Sequence, residues 1–433
     1  MAKSIKLWKQ IVDLGPHRFF SSDTRVNQKW LDVIGKDYSM VNRLTRIYYN
    51  NKFFAYPLKP FDALSRLGIV NSFLCVISYL NAKLKNPKDN KTFESWVSNR
   101  FGYRLFSIFF KSYSEKLWGI SCKKLDADFA AQRIKKLSLF EAIKSAFIKP
   151  GSKHKTLVDE FAYPLKGAGE VYSRMAKQIK SRKGQIFLNT KVVSVDKKND
   201  TVFQITLDNK KTVNYDHVIS TMPMTHLVEK IGAPKQVITA ARKLTFRNTI
   251  LIYLKVDGSD LFPDQWLYIH SDEVLTGRVT NFKNWVKTIN NNQKESILCL
   301  EYWCYDNDQI WHQSEEEMVK LASKEIELIG LANSRSVISG KLISVPKCYP
   351  VYSAGYQKNL KIVENYLDSI KNLSVIGRYG AFKYNNQDHS ILMGLLAAEN
   401  IHLGTKKNNL WEINTDYDYQ ENSTITATGL RKD

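Results

Sequence analysis

Glycine is the first shortage. The chain has 20 glycines in 433 residues, about 5% against a norm near 7%, and none of them completes a Gly-x-Gly-x-x-Gly fingerprint. Gly167-Ala168-Gly169 comes nearest, but Tyr172 stands where the third glycine belongs, and Tyr163-Pro164 rather than a buried strand precedes it. It is not read as a dinucleotide fingerprint. Cysteine is equally uninformative. Cys75, Cys122, Cys299, Cys304 and Cys348 are odd in number and include no Cys-x-x-Cys pair, which argues against a disulfide framework or a zinc knuckle and for a reducing, cytoplasmic compartment. The eight histidines offer no His-x-x-x-His pair, so no metal site is expected. A Gly-x-Ser-x-Gly elbow and a Walker loop are missing too. No apolar opening of export length follows Met1. The longest apolar run, Leu67 to Leu80 (LGIVNSFLCVISYL), is shorter than the roughly 20 residues that span a bilayer. A buried core helix is the expectation there. Shallow insertion into one leaflet of an anionic membrane is the alternative, which the basic balance would assist.

What the chain has in excess is positive charge. Sixty-four Lys+Arg against 42 Asp+Glu give +22. That favours anionic partners without choosing among phosphates, lipid and nucleic acid, and biased base composition would raise the lysine count equally well. Hydrophobic residues at 43% and charged residues at 24% are ordinary for a globular chain. Lysines and aromatics interleave between Phe101 and Trp118, but at helical spacing, so core packing explains them and no nucleic-acid partner is expected.

Periodicity sketches the elements. Ile5 to Leu14 reads as a short hairpin turning near Lys9-Gln10. Asp23 to Ile34 reads as a helix, and Arg46 to Phe54 as a hairpin about Asn50-Asn51. Helical spacing dominates from about Phe61 to Phe147, with a break at Asn86-Pro87. A helix from Glu170 to Arg182 precedes strands expected at 185–188, 192–195, 202–207 and 216–221. The middle is strand-rich, with Thr249–Val256, Trp266–His270 and Ser296–Tyr302 strongest and a helix over 315–329. A strand at 373–376, a glycine-bearing loop and a helix from Ser390 to His402 follow, and from about Asn414 the pattern fades into a tail. The texture is α/β with α+β elements, and it flanks the strand-rich middle on both sides, which points to interleaved domains.

Chemistry gathers at the strand, Gly377-Arg378-Tyr379-Gly380 and the following helix start. Glycines let a phosphate approach the backbone, a helix N-terminus offers unpaired N–H groups, and an arginine can pair with a pyrophosphate. A purely structural Gly-Arg turn remains open on spacing alone.

Eight segments in order resemble the flavin-containing amine oxidase superfamily, in particular its protoporphyrinogen-oxidase-like bacterial branch. They are DLGPHRFFS (Asp13–Ser21), YPLKGAGEVY (Tyr163–Tyr172), LNTKVVSV (Leu188–Val195), DHVISTMP (Asp216–Pro223), LFPDQWLYIH (Leu261–His270), TNFKNW (Thr280–Trp285), VPKCYPVY (Val345–Tyr352) and GRYGAFKYNNQDHS (Gly377–Ser390). The last is also similar to the terminal flavin motif of UDP-galactopyranose mutases. The resemblance implies a Rossmann-like FAD-binding domain built from discontinuous segments, interleaved with a sheet-rich substrate domain and a helical insertion. The segments would be 1–57 (remnant of the FAD domain), 58–150 (helical insertion), 151–222 (FAD domain), 223–345 (substrate domain), 346–405 (FAD domain) and 406–433 (tail). It also implies roles. Gly15, Pro16 and His17 would approach the isoalloxazine, and Val192 would meet the adenine through its backbone. Gly377, Arg378 and Gly380 would form the pyrophosphate turn, and Asp388, His389 and Ser390 would lie by the ribityl chain and ring. Asn281, Trp285 and Tyr302 would line the side of a small-molecule substrate. No catalytic base and no oligomeric state are assigned.

The family's opening strand, glycine-rich turn and helix are not written before Asp13. Either Met1 is an internal methionine of a longer reading frame, or the chain is a truncated form that holds the cofactor poorly. Three functional readings follow from the resemblance: an FAD-dependent oxidoreductase acting on a C–N or C–C bond, a flavin-dependent UDP-sugar mutase, and a non-catalytic remnant.

Overall fold

The computed structural model describes residues 2–84, 90–128, 160–414 and 425–430. The Asn86-Pro87 break and the helical pattern from 129 to 147 lie outside the described residues. In chain order the strands are β1 (Ser4–Leu7), β2 (Gln10–Asp13), β3 (Tyr38–Asn42), β4 (Thr45–Tyr49), β5 (Lys52–Ala55), β6 (Glu160–Pro164), β7 (Val192–Lys198), β8 (Thr201–Leu207), β9 (Thr212–Asn214), β10 (Val218–Ser220), β11 (Phe246–Val256), β12 (Trp266–Ile269), β13 (Arg278–Asn281), β14 (Ser296–Cys304), β15 (Val337–Pro350) and β16 (Leu373–Val375). The helices used below are α1 (Thr24–Ile34), α2 (Pro60–Leu67), α3 (Ile69–Leu84), α4 (Phe93–Phe101), α5 (Ser112–Trp118), α6 (Gly169–Ser181), α7 (Glu315–Leu328), α8 (Tyr356–Asp368) and α9 (Gln387–Leu403).

Two compact units result, both discontinuous in sequence. The first takes Met1–Arg174, Asn248–Pro346 and Tyr417–Asp433; the second takes Met175–Arg247 and Lys347–Asp416. A seven-stranded mixed sheet in the order β15-β11-β14-β13-β12-β4-β5 dominates the first. One of its faces packs on α7, where Ile252, Leu254, Leu298 and Leu300 bury against Met318, Ala322 and Ile326. Helix α7 begins on a reciprocal Ser314/Glu317 capping box with three glutamates in its first turn, which matches the positive end of the helix dipole. The second unit holds the parallel pair β10–β16 and the antiparallel meander β7-β8-β9.

Local chemistry sets the details. The β1–β2 turn falls on Trp8 and Lys9, both at positive φ, one residue earlier than expected. Asp23 caps α1 by accepting from the backbone N–H of Arg25 and Val26, worth about 1 kcal/mol. Asn50 and Asn51 at φ 48° and 56° make the β4–β5 turn, the left-handed geometry asparagine tolerates. The Gly167-x-Gly169 pair is explained by proximity. A Cβ at Gly169 would lie 2.4 Å from the Ser4 backbone nitrogen, and one at Gly167 2.4 Å from Ser4 Oγ.

Three expectations are corrected. Residues 185–188 pair in no ladder, and Phe187 and Leu188 are exposed; an apolar run alone supplies no partner strand. The Leu67–Leu80 run is not core: α3 buries only Cys75. Residues 425–430 are no frayed tail but a small hairpin, with Ile425 buried and the Tyr38 hydroxyl donating to the Thr426 carbonyl at 2.6 Å.

Asp13 knots the first unit together. Fully buried at the end of β2, it accepts from Ser4 Oγ, from Tyr163 Oη at 2.6 Å and from the Ala168 N–H at 3.1 Å. Burial outweighs these donors and pushes the carboxyl up from 3.8 to about 6. The fold therefore prefers the protonated form. Its contribution to stability is full below pH about 4, falls by about 3 kcal/mol as pH rises through about 6, and is flat above. Urea unfolding midpoints across this window should show that fall in the parent and a flattened profile in Asp13→Asn; an unchanged profile would count against it.

Candidate functional site

Strand alternation sorts the large sheet into two chemically different faces. In β14, Leu298, Leu300 and Tyr302 point into the core beneath α7, while Cys299, Glu301 and Trp303 point the other way. The register carries that second face across the sheet. Glu301 sits opposite Arg278 and Leu251, Cys299 opposite Thr280 and Tyr253, and Trp303 opposite Thr249; Trp266 and Tyr268 follow on β12, opposite Thr280 and Arg278.

The Gly15-Pro16-His17 turn lies on this face. Gly15 has φ +89° and donates to the Asp13 carbonyl at 2.8 Å. The position its Cβ would take is 3.6 Å from Glu301 Oε1 and 3.9 Å from Arg278 Nη2. Arg278 and Glu301 form a two-pronged ion pair with both contacts at 2.6 Å; the arginine side chain is 14% exposed and the glutamate 1%. The Tyr253 hydroxyl donates to the Asp13 carbonyl at 2.7 Å, holding the strand that leads into the turn. His17 Nδ1 lies 3.0 Å from the Gly15 carbonyl, so the ring fastens its own turn. Burial keeps the Cys299 thiol well above its usual range, which disfavours thiolate chemistry there.

Aromatic rings wall the face. Trp285 packs against Trp266, Phe161 and Tyr163 at centroid distances of 5.8, 5.4 and 4.8 Å. At the far edge Tyr113 of α5 stacks on His270 and meets Tyr268 and Trp303 edge-on. Gly277 is required below Trp303, since a Cβ would lie 2.0 Å from the indole. Lys116 of α5 donates to the Ser271 carbonyl at 2.5 Å, and burial pulls its ammonium down to about 8. Burial likewise drives His270 down to about 3, so its ring is neutral.

The three expected substrate residues fare differently. Trp285 belongs to this wall. Tyr302 points to the core face, where burial first and the Glu325 carboxylate second hold its phenol well above 10. Asn281 is fully buried, accepts from the Lys283 N–H at 3.1 Å and caps a short 3-10 turn. Neither of the latter two lines the face that carries Gly15. Arg278, Glu301, Trp303 and Tyr253 were not singled out: residues 298–304 (LCLEYWC) are apolar or aromatic everywhere but Glu301, so the pattern gives no parity.

The second unit holds the other candidates. Gly377 has φ +81° with open space where its Cβ would be, and its N–H donates to the Met393 sulfur at 3.3 Å. Gly380 is packed tightly, its Cβ position 3.1 Å from the Ser220 carbonyl. Arg378 is committed to its own loop. Nε and Nη2 donate to the Asn385 carbonyl at 2.9 and 2.6 Å, and the guanidinium lies over the rings of Tyr349 and Tyr384; in this position it shapes the turn rather than reaching out as a pyrophosphate arm. Helix α9 starts at Gln387, three residues before the expected Ser390. His389 Nδ1 therefore accepts from the Asn386 N–H in a capping box, and Asp388 and Ser390 share the first turn. Val192 opens β7 opposite Leu207, beside a register shift.

Residues 3–341 match the family of flavin containing amine oxidoreductases. The chain belongs to that family. Among solved structures it is similar to reduced UDP-galactopyranose mutase, with 20% identity over 96% of this chain and 91% of that one and a TM-score of 0.80. A putative protoporphyrinogen oxidase from Exiguobacterium sp. 255-15 aligns at 14% identity over 87% of this chain and 84% of that one, TM-score 0.66. A putrescine oxidase variant aligns at 13% identity over 93% and 90%, TM-score 0.61. These likenesses speak for the fold.

Membership in a flavin-containing family implies a flavin, and the sheet face fits a polar, flat guest. The indole N–H groups of Trp266 and Trp285 and the hydroxyls of Thr249 and Thr280 are buried without a hydrogen-bond partner. Each such group costs about 1–3 kcal/mol when left unpaired, so a ligand that satisfies them gains accordingly.

Removing Arg278 alone leaves the Glu301 carboxylate buried without its partner. Arg278→Met should cost about 3–5 kcal/mol in chemical denaturation, and the double variant Arg278→Met/Glu301→Leu should recover most of that loss. Equal stability of parent and single variant would show that the pair is not coupled as described.

Proposed function

We propose that this member of the flavin-containing amine oxidoreductases uses FAD to oxidise a C–N or C–C bond of a small molecule by hydride transfer. The observation that carries the reading is the Gly15 turn set over the Arg278–Glu301 pair on an aromatic face. The flavin supplies the redox chemistry when bound. The chain's own residues have three tasks there. The Gly15-Pro16-His17 turn, pinned by His17 and Tyr253, gives a flat ring a rigid backbone edge. The Trp266, Trp285 and Trp303 indoles exclude water. Arg278, locked to Glu301 by two hydrogen bonds, gives the face beneath the turn a fixed polar floor. Support for FAD over a mononucleotide is the resemblance of the Gly377–Ser390 segment to the family's terminal flavin motif.

A second reading, a UDP-sugar mutase, draws on the likeness in fold to reduced UDP-galactopyranose mutase. One experiment separates the two. Flavin-loaded protein is mixed anaerobically with a panel of primary amines, polyamines and a porphyrinogen while flavin absorbance is followed. Oxidative chemistry predicts bleaching with one class, slowed about 100-fold in Arg278→Lys, which keeps charge but loses the planar fork. Mutase chemistry predicts no bleaching, and ring interconversion of UDP-galactopyranose only after chemical reduction of the flavin. Neither activity would overturn both readings.

A further inference from the structure

Helix α3 is amphipathic the wrong way round. Its small and polar residues face the protein. Ser72 donates to the Leu64 carbonyl at 2.5 Å, Ser78 accepts from the Arg104 N–H at 3.0 Å, and Asn71 accepts from the Arg104 guanidinium at 2.6 Å. Gly102, at φ +81°, lets the chain beyond α4 come so close that a Cβ there would lie 2.6 Å from the Tyr79 nitrogen. Large side chains have no room on that side, and the apolar ones point outward. Ile69 is 90% exposed, Val70 73%, Phe73 65% and Leu84 85%, with Ile77 and Leu80 on the same stripe. The spacing of 69, 73, 77, 80 and 84 makes one continuous ridge. Sixteen residues give a ridge about 24 Å long. So large an apolar patch needs an occupant.

Charge chooses the occupant. Helix α3 carries no acidic residue and has Lys83 in its last turn. Lys59 and Arg66 flank α2 beside it, exposed. Asp62, the sole acid between residues 59 and 84, is tied to Arg66 at 2.6 Å. The whole chain is at +22. Area argues against a second copy. A ridge about 24 Å long and about 10 Å wide would bury roughly 500 Å² across two copies, well short of the roughly 1,200–2,000 Å² of a stable interface. Among the described residues no helix is long and apolar enough to cross a membrane. We infer that α3 docks the protein on the surface of an anionic membrane, lying in the interfacial plane with Phe73 and Ile77 among the acyl chains and its basic flank at the headgroups.

The full-length protein is floated with vesicles of phosphatidylcholine alone and of phosphatidylcholine with phosphatidylglycerol at about 3:1. Binding should be at least tenfold stronger to the anionic vesicles, weaken with salt, and fall at least tenfold in Phe73→Glu/Ile77→Glu. Because the substitution could alter folding, Phe73→Trp provides a second reading: its emission should shift to the blue with anionic vesicles. Flotation that is absent, equal for parent and double variant, or indifferent to lipid charge would overturn the inference. So would an unshifted Phe73→Trp emission, or a dimer in sedimentation velocity that the double variant splits while vesicles go unbound.

Discussion

A buried carboxylate two residues from a glycine turn governs the first unit. Asp13 draws Ser4, Tyr163 and the Ala168 N–H onto one side chain, and its backbone carbonyl takes both the Tyr253 hydroxyl and the Gly15 N–H. Groups from residues 4, 163, 168 and 253 are thereby fixed around the turn that follows. An unpaired carboxylate at that depth would cost several kcal/mol, so the donors and the chain segments bearing them are constrained together. The close packing of Gly167 and Gly169 on Ser4 is part of the same constraint.

The turn so held meets a sheet whose two faces do different work. The α7 side is ordinary packing. The other side concentrates a two-pronged ion pair, several indoles and phenols, and buried polar groups that have no partner among the described residues. Proteins seldom leave such groups unpaired in a core, and a flavin is the partner proposed for them. The opposite inversion in α3, polar within and apolar without, follows from the same kind of local rule: Gly102 allows backbone contact only where side chains are short.

Much of this was legible in the residues. The Asn50-Asn51 turn, the helix from Asp23 and the long strands of the middle each carry their cause within a few positions, and the ordered segments from Asp13 to Ser390 pointed to the family. What escaped depends on partners elsewhere. Tyr302 was picked for its chemistry, but its parity along β14 sends it into the core, while its neighbours Glu301 and Trp303 face the turn. Arg378 looked like a phosphate arm until the Asn385 carbonyl and two tyrosines claimed it. The Leu67–Leu80 run gave hydrophobicity without direction, because the residue that decides its facing, Gly102, lies some twenty positions away.

The central claim is that a flavin rests against the Gly15 turn. The most direct measurement is a visible-absorbance titration of the protein and of Gly15→Val with FAD. At φ +89° a β-branched residue is strained. The account predicts one equivalent bound with a perturbed flavin spectrum in the parent, and affinity reduced about 100-fold in Gly15→Val, equivalent to about 2.7 kcal/mol. Equal binding by the two proteins would contradict it.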